Sequence, residues 1–133
     1  MDESDPVEVT LAFVRAAQDG DLAAMRSLMA DSFQGHVTTA DAGVRQADRE
    51  QYLASIEAMD VRSANLRLET PNVLRMDPGR VLVMVEVRAE RFGHTLHNFS
   101  AQLAQVADGR ITELWMVEAL PAESNALWSR SAP

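Results

Sequence analysis

Glu118 ends an alternating segment, Leu114-Trp115-Met116-Val117-Glu118, and is the acid of this sequence best placed to move a proton. In a strand, side chains two apart share a face, so Leu114, Met116 and Glu118 point together while Trp115 and Val117 point the other way. A carboxyl group enclosed beside Leu114 and Met116 loses solvation, its pKa rises, and general acid or base work near neutral pH comes within reach. At an open rim the same residue is only a solvated surface acid. A second alternating segment sets Asn98, Ser100 and Gln102 on one face and His97, Phe99, Ala101 and Leu103 on the other. With the polar row inside a pocket, amide and hydroxyl groups can orient a carbonyl or stabilise an enolate. A slip of one residue exchanges the two rows. His36 offers a base or a hydrogen-bonding anchor. His94 and His97, three apart, fall on opposite faces of a strand and make poor joint ligands, so no metal is expected. Arg88, Glu90 and Arg91 read as an exposed strand face.

Composition removes many other chemistries. Cysteine is absent, which excludes disulfides, thiolate metal sites and cysteine nucleophiles. All twelve basic residues are arginine, so Schiff-base catalysis and a phosphate-loop lysine are excluded as well. A net charge of −8 with scattered arginines opposes nucleic acid and anionic lipid, and neither is an expected partner. No apolar run approaches the roughly 20 residues of a membrane span. The acidic start Met1-Asp2-Glu3-Ser4-Asp5 is unlike a secretory signal and points to a cytoplasmic protein. The arginine and alanine bias is that of a GC-rich bacterial gene.

The elements that must position these groups are legible from caps and periods. Asp5-Pro6 pairs an N-cap acceptor with proline at the first helical position, and Val7, Leu11 and Val14 follow at helical spacing. Asp19-Gly20-Asp21 combines a C-terminal glycine with a new N-cap, after which Leu22, Met25, Leu28 and Met29 describe a second short helix. Ser32 to Val37 fits a short strand, and Thr38 to Gln46 reads as a loop over one edge. Asp48-x-x-Gln51 is a capping box opening a third helix that carries Tyr52, Leu53, Ile56 and Met59. From Ala64 the period becomes two, with turn signals at Asp77-Pro78-Gly79, Phe92-Gly93 and Asp108-Gly109. Strands are expected near 64–75, 80–91, 94–106 and 110–119 as a meander. Three helices with one antiparallel sheet make an α+β domain, and the 133 residues suit one core.

The helix-break-helix Phe13-Val14-Arg15-Ala16-Ala17-Gln18-Asp19-Gly20-Asp21 and the closing Asp108-Gly109-Arg110-Ile111-Thr112-Glu113-Leu114-Trp115 resemble the NTF2-like superfamily, which includes ketosteroid isomerase. The segment Leu127-Trp128-Ser129 is similar to its SnoaL-like polyketide cyclase branch. The resemblance spans residues 1–133 as a single domain. It implies a cone-shaped NTF2-like (cystatin-like) fold, with three N-terminal helices on a curved antiparallel sheet around a closed apolar pocket. Aligned on Gly20 and Gly109, the isomerase's oxyanion tyrosine falls at Phe13, its base at or beside Val37, and its second aspartate near Asn98. Phenylalanine donates no hydrogen bond and valine accepts no proton, so steroid isomerisation by that route is disfavoured.

The resemblance places Glu118, Asn98, Ser100 and Gln102 inside and sets His36 one residue before the base position. Phe13, Met25, Met29, Tyr52, Ile56, Leu114 and Met116 are expected to line the pocket. Trp115 and Val117 on the outer face imply a homodimer. The implied function belongs to bacterial biosynthesis: cyclisation or isomerisation of a polyketide-like apolar substrate. Glu118 would be acid or base, with His36 and Asn98 orienting a carbonyl. Side chains suffice for such proton transfer, so no cofactor is expected. Epoxide hydrolysis of the limonene type, with Arg88 and Glu118, and noncatalytic binding of a small molecule are the alternatives.

Overall fold

The computed structural model describes residues 5–130, so the acidic segment before Asp5 lies outside the described residues. Helix α1 (Pro6–Asp19) begins as the proline predicts, with the Asp5 carboxylate accepting from the Val7 amide at 2.9 Å. It stops at Gly20, whose φ of 67° is the left-handed conformation that glycine adopts without steric cost. Asp21 then caps the short α2 (Leu22–Ser27).

The chain enters β1 (Met29–Thr38), longer than the short strand expected over Ser32 to Val37, and turns back as the antiparallel β2 (Val44–Asp48), which begins where the sequence suggested loop. The capping box forms as read: Asp48 accepts from the Gln51 amide at 2.8 Å, and the Gln51 side chain accepts from the Asp48 amide at 2.9 Å, opening α3 (Arg49–Met59). The meander follows as β3 (Arg67–Asp77), β4 (Arg80–Arg91), β5 (His94–Ala107) and β6 (Arg110–Glu118). A last helix, α4 (Pro121–Trp128), completes the described chain. Phe92-Gly93 and Asp108-Gly109 take paired positive φ values, the twist that matches two-residue hairpins.

The six strands form one curved, unclosed sheet in the order β2-β1-β6-β5-β4-β3. The expected all-antiparallel sheet is corrected at one junction, because β1 runs parallel to β6, with His36 beside Trp115 and Val37 beside Met116. The long connection through α3 and the meander lets the first strand return beside the last.

Helix α1 packs on β3, β4 and β5, while α3 packs on β1 and β2. Between them lies the main core of Val9, Phe13, Met25, Met29, Phe33, Leu53, Ile111 and Leu114, each at most 3% exposed. Phe13, Met25, Met29 and Leu114 therefore fill the interior instead of lining a cavity.

Candidate active site

A half-open cavity of about 490 Å³ remains at the end of the sheet not filled by that core. Its sheet wall carries Val37, Leu68, Val87, Ser100, Gln102, Met116 and Glu118. Helix α3 contributes Tyr52, Ser55, Ile56 and Met59 from the opposite side, and α4 covers one flank with Ser124 and Trp128. The wall is mainly apolar, with a few polar groups converging in it, which is the usual character of a small-molecule site. The expected closed chamber is thus half open, and Thr38, Thr39 and Arg45 of the β1–β2 arm also line it.

Strand parity decides which predicted residues arrive. In β6, Leu114 is buried in the core, Met116 and Glu118 reach the cavity, and Val117 faces outward at 60% exposure. In β5 the polar row is the inner one: Asn98, Ser100 and Gln102 are buried while Phe99 is 43% exposed.

Glu118 is half-buried, and its Oε1 accepts from the Ser124 hydroxyl at 3.1 Å. Loss of solvation raises its pKa above the ordinary carboxyl value, partly opposed by the Ser124 hydrogen bond. It is the one acid among the described lining residues, and Arg45 is the one cation. Tyr52 is buried, and its pKa is pushed up to about 12, first by burial and then by the negative charge of Glu118, with Arg45 opposing.

Two expected catalytic residues take other places. His36 is turned to the outer sheet face, because its neighbour Val37 occupies the inner one. There its ring stacks on Trp115 at 5.3 Å, and its Nε2 lies 2.7 Å from Glu113 Oε2. A base there cannot reach the cavity.

Asn98 does point inward, yet its Oδ1 accepts from the amides of Phe99 at 2.8 Å and Leu120 at 3.0 Å. The amide is a clamp that fixes the turn from β6 into α4, and it is absent from the cavity wall. At the other end of α4, the Arg91 guanidinium donates to the Trp128 carbonyl at 3.0 Å, so Arg91 departs from the exposed face expected of it. Together these bonds hold Ser124 over Glu118. Replacing Asn98 by alanine strips an acceptor from two backbone amides and is expected to cost about 1–3 kcal/mol. Urea denaturation checks this, and an unchanged midpoint would refute the clamp.

Arg88 and Glu90 lie on the outer face of β4, in a separate depression with Arg67 and His97. They cannot share a water with Glu118. Ser124 and Arg45 are polar lining residues that sequence reading missed, as it missed the apolar Leu68 and Val87. Alternation in Val44-Arg45-Gln46-Ala47-Asp48 carries a faint signal for Arg45, but no local pattern marks Ser124.

With this geometry in place, the chain matches the SnoaL-like domain family over residues 10–114. The chain belongs to that family. No curated protein matches it in sequence. Solved structures show how far the SnoaL-like fold is shared. Bal32a, from a soil-derived mobile gene cassette, is 20% identical, with a TM-score of 0.78 over 96% of this chain and 99% of that one. IdmH of Streptomyces antibioticus, a candidate polyketide cyclase, is 19% identical, with a TM-score of 0.71 over 86% of this chain and 91% of the other. An epoxide hydrolase of Mycobacterium tuberculosis resembling limonene epoxide hydrolase is 14% identical, with a TM-score of 0.75 over 92% and 89% of the two chains. These likenesses establish a shared SnoaL-like, NTF2-type fold.

Proposed function

We propose that this SnoaL-like domain is a cofactor-independent enzyme that binds an apolar, polyketide-like substrate and promotes its cyclisation or isomerisation by proton transfer. The observation that carries the reading is Glu118: one acid, half-buried in a largely apolar cavity, with its pKa raised by lost solvation. A carboxyl group so tuned exchanges a proton with carbon acids near neutral pH more readily than a solvated one. The wall would hold a flexible chain in a folded conformation, so that reacting carbons meet without a large entropic cost. The family and the structural likeness to IdmH favour ring closure over other outcomes. Epoxide hydrolysis loses support because Arg88 lies outside the cavity and no second acid lines it among the described residues. A binder filled by its own methionines is also disfavoured: Met25 and Met29 belong to the core, yet the cavity remains. Incubation with a poly-β-keto thioester, followed by absorbance of the aromatic product, is expected to show ring closure faster than in buffer. Equal rates would contradict the reading.

The outer sheet face supports a homodimer as part of this proposal. Leu82, Leu103 and Trp115 adjoin across β4, β5 and β6, as do Met84, Ala101 and Val117 in the next row. Met84, Phe99 and Val117 are 38%, 43% and 60% exposed, and a two-fold contact would cover them. Light scattering is expected to give a dimer for the native chain and a monomer for Val117→Arg, which would bury a charge. A monomeric native chain would refute this assignment.

A further inference from the structure

Tyr52 is the only tyrosine of the chain, and its two ends meet different surroundings. The ring is fixed on three sides. It lies 6.1 Å from the Phe13 ring and 5.4 Å, edge-on, from the Phe33 ring. Gly35 leaves room for both neighbours, since a Cβ at that position would sit 3.3 Å from Tyr52 Cδ2 and 3.3 Å from Phe33 Cε1.

No side chain or backbone group among the described residues hydrogen-bonds to the hydroxyl, although Tyr52 is only 5% exposed. No fully sealed polar side-chain atom lacks a partner among the described residues, so the hydroxyl keeps some exposure, and Tyr52 lines the cavity. A rigidly held donor facing an apolar chamber is costly unless a guest or water supplies an acceptor. The phenol stays protonated at any physiological pH, so it donates and does not act as a base. Gln102, by comparison, is turned towards Ser100, with its Nε2 3.5 Å from the Ser100 hydroxyl.

We propose that Tyr52 is the hydrogen-bond donor for a carbonyl oxygen of the substrate, which makes the guest of this pocket an enolisable ketone. The inference rests on the reading of the cavity as a site of proton transfer. The Glu118 carboxylate takes the proton from the carbon next to the carbonyl. The electron pair of that C–H bond forms the C=C bond, and the carbonyl π pair moves onto oxygen. Charge then gathers on the atom that Tyr52 holds, so the bond strengthens as the enolate forms and favours the transition state over bound ketone. In a β,γ-unsaturated ketone the enolate is a dienolate, and return of the proton from Glu118 to its far carbon re-forms the carbonyl and shifts the C=C bond. Alternatively, the enolate carbon attacks a second carbonyl, whose π pair moves onto its oxygen and takes the proton from Glu118, closing the ring.

The test uses β-tetralone labelled at its carbonyl carbon, observed by infrared difference spectroscopy in the native protein and in Tyr52→Phe, Ser100→Ala and Glu118→Gln. In the native protein the C=O stretch is expected to move to lower frequency on binding. Tyr52→Phe should abolish that displacement and weaken binding about two- to tenfold, the effect of one neutral hydrogen bond. Ser100→Ala and Glu118→Gln should both retain it. Thermal melting of Tyr52→Phe should match the native chain, since the hydroxyl has no partner to lose among the described residues. A displacement that survives in Tyr52→Phe, or a ketone bound with its stretch unmoved, would overturn the Tyr52 assignment while leaving the pocket reading intact. No binding to the native protein would overturn both.

Discussion

Replacing Glu118 by glutamine is expected to lower turnover by about 10²- to 10⁴-fold, the usual contribution of a positioned acid or base. The shape of the pocket survives this change: glutamine is nearly isosteric, and its carbonyl can still accept from the Ser124 hydroxyl. Substrate binding should therefore change little, and the loss should fall on kcat.

The same substitution should leave the fold as stable or more stable at neutral pH. Burial raises the folded-state pKa of Glu118, so its contribution to stability is fully present below the ordinary carboxyl value of 4.5 and is lost as pH rises through the raised one. Above that pH the native chain carries an ionised carboxylate short of solvation, and glutamine does not. Thermal melts of both proteins should coincide in acid and separate in favour of glutamine towards pH 8. A variant that is inactive but also strongly destabilised at neutral pH would mean that Glu118 is structural.

The second large effect is expected at Phe33. Its side chain is fully buried where β1 meets α3, and it supports the Tyr52 ring from the edge. Phe33→Ala should cost about 3–5 kcal/mol, through lost burial and the cavity left behind. Phe33→Leu refills much of that volume and should cost less than about 1.5 kcal/mol. Urea denaturation separates the two. Because Phe33 does not line the cavity, Phe33→Leu is also expected to weaken ketone polarisation only through slackening of the Tyr52 ring. Equal stability of the alanine and leucine variants would mean that the site relaxes around the missing ring.

Elements with strong local chemistry are legible in the sequence. Asp5-Pro6, Gly20 and the Asp48–Gln51 box each meet their own backbone within a few residues, and the period of two, expected from Ala64 and found from Arg67, needs no distant partner. What fails is long-range. The parallel pairing of β1 with β6 joins residues about eighty positions apart and has no local signature. The β2 arm alternates weakly and is exposed along most of its length. Helix α4 buries little beyond Ser124 and Leu127, too narrow a stripe to declare itself.

In the site, parity grouped Glu118 with Met116 and Ser100 with Gln102, the family resemblance implied that both sets face inward, and both line the cavity together with Tyr52 and Ile56. His36 failed on the same parity, since Val37 faces in and its neighbour must face out. Asn98 faced the right way, but the adjacent Phe99 amide and the Leu120 amide at the turn into α4 had already taken its oxygen. Phe13, Met25, Met29 and Leu114 were expected to line the pocket and instead pack the core. Whether an internal apolar residue packs a core or lines a cavity depends on where packing stops, and one chain's pattern does not encode that.

Glu118 is proposed to move a proton to and from a carbon next to a carbonyl inside this cavity. The most direct measurement of this transfer is the exchange of the α-hydrogens of β-tetralone in heavy water, followed by proton nuclear magnetic resonance at constant pH. The native protein should accelerate exchange above the buffer rate in a saturable way, and Glu118→Gln should return it to the buffer rate while still binding the ketone. Exchange equally fast in Glu118→Gln, or a native protein that binds the ketone without accelerating exchange, would contradict the account.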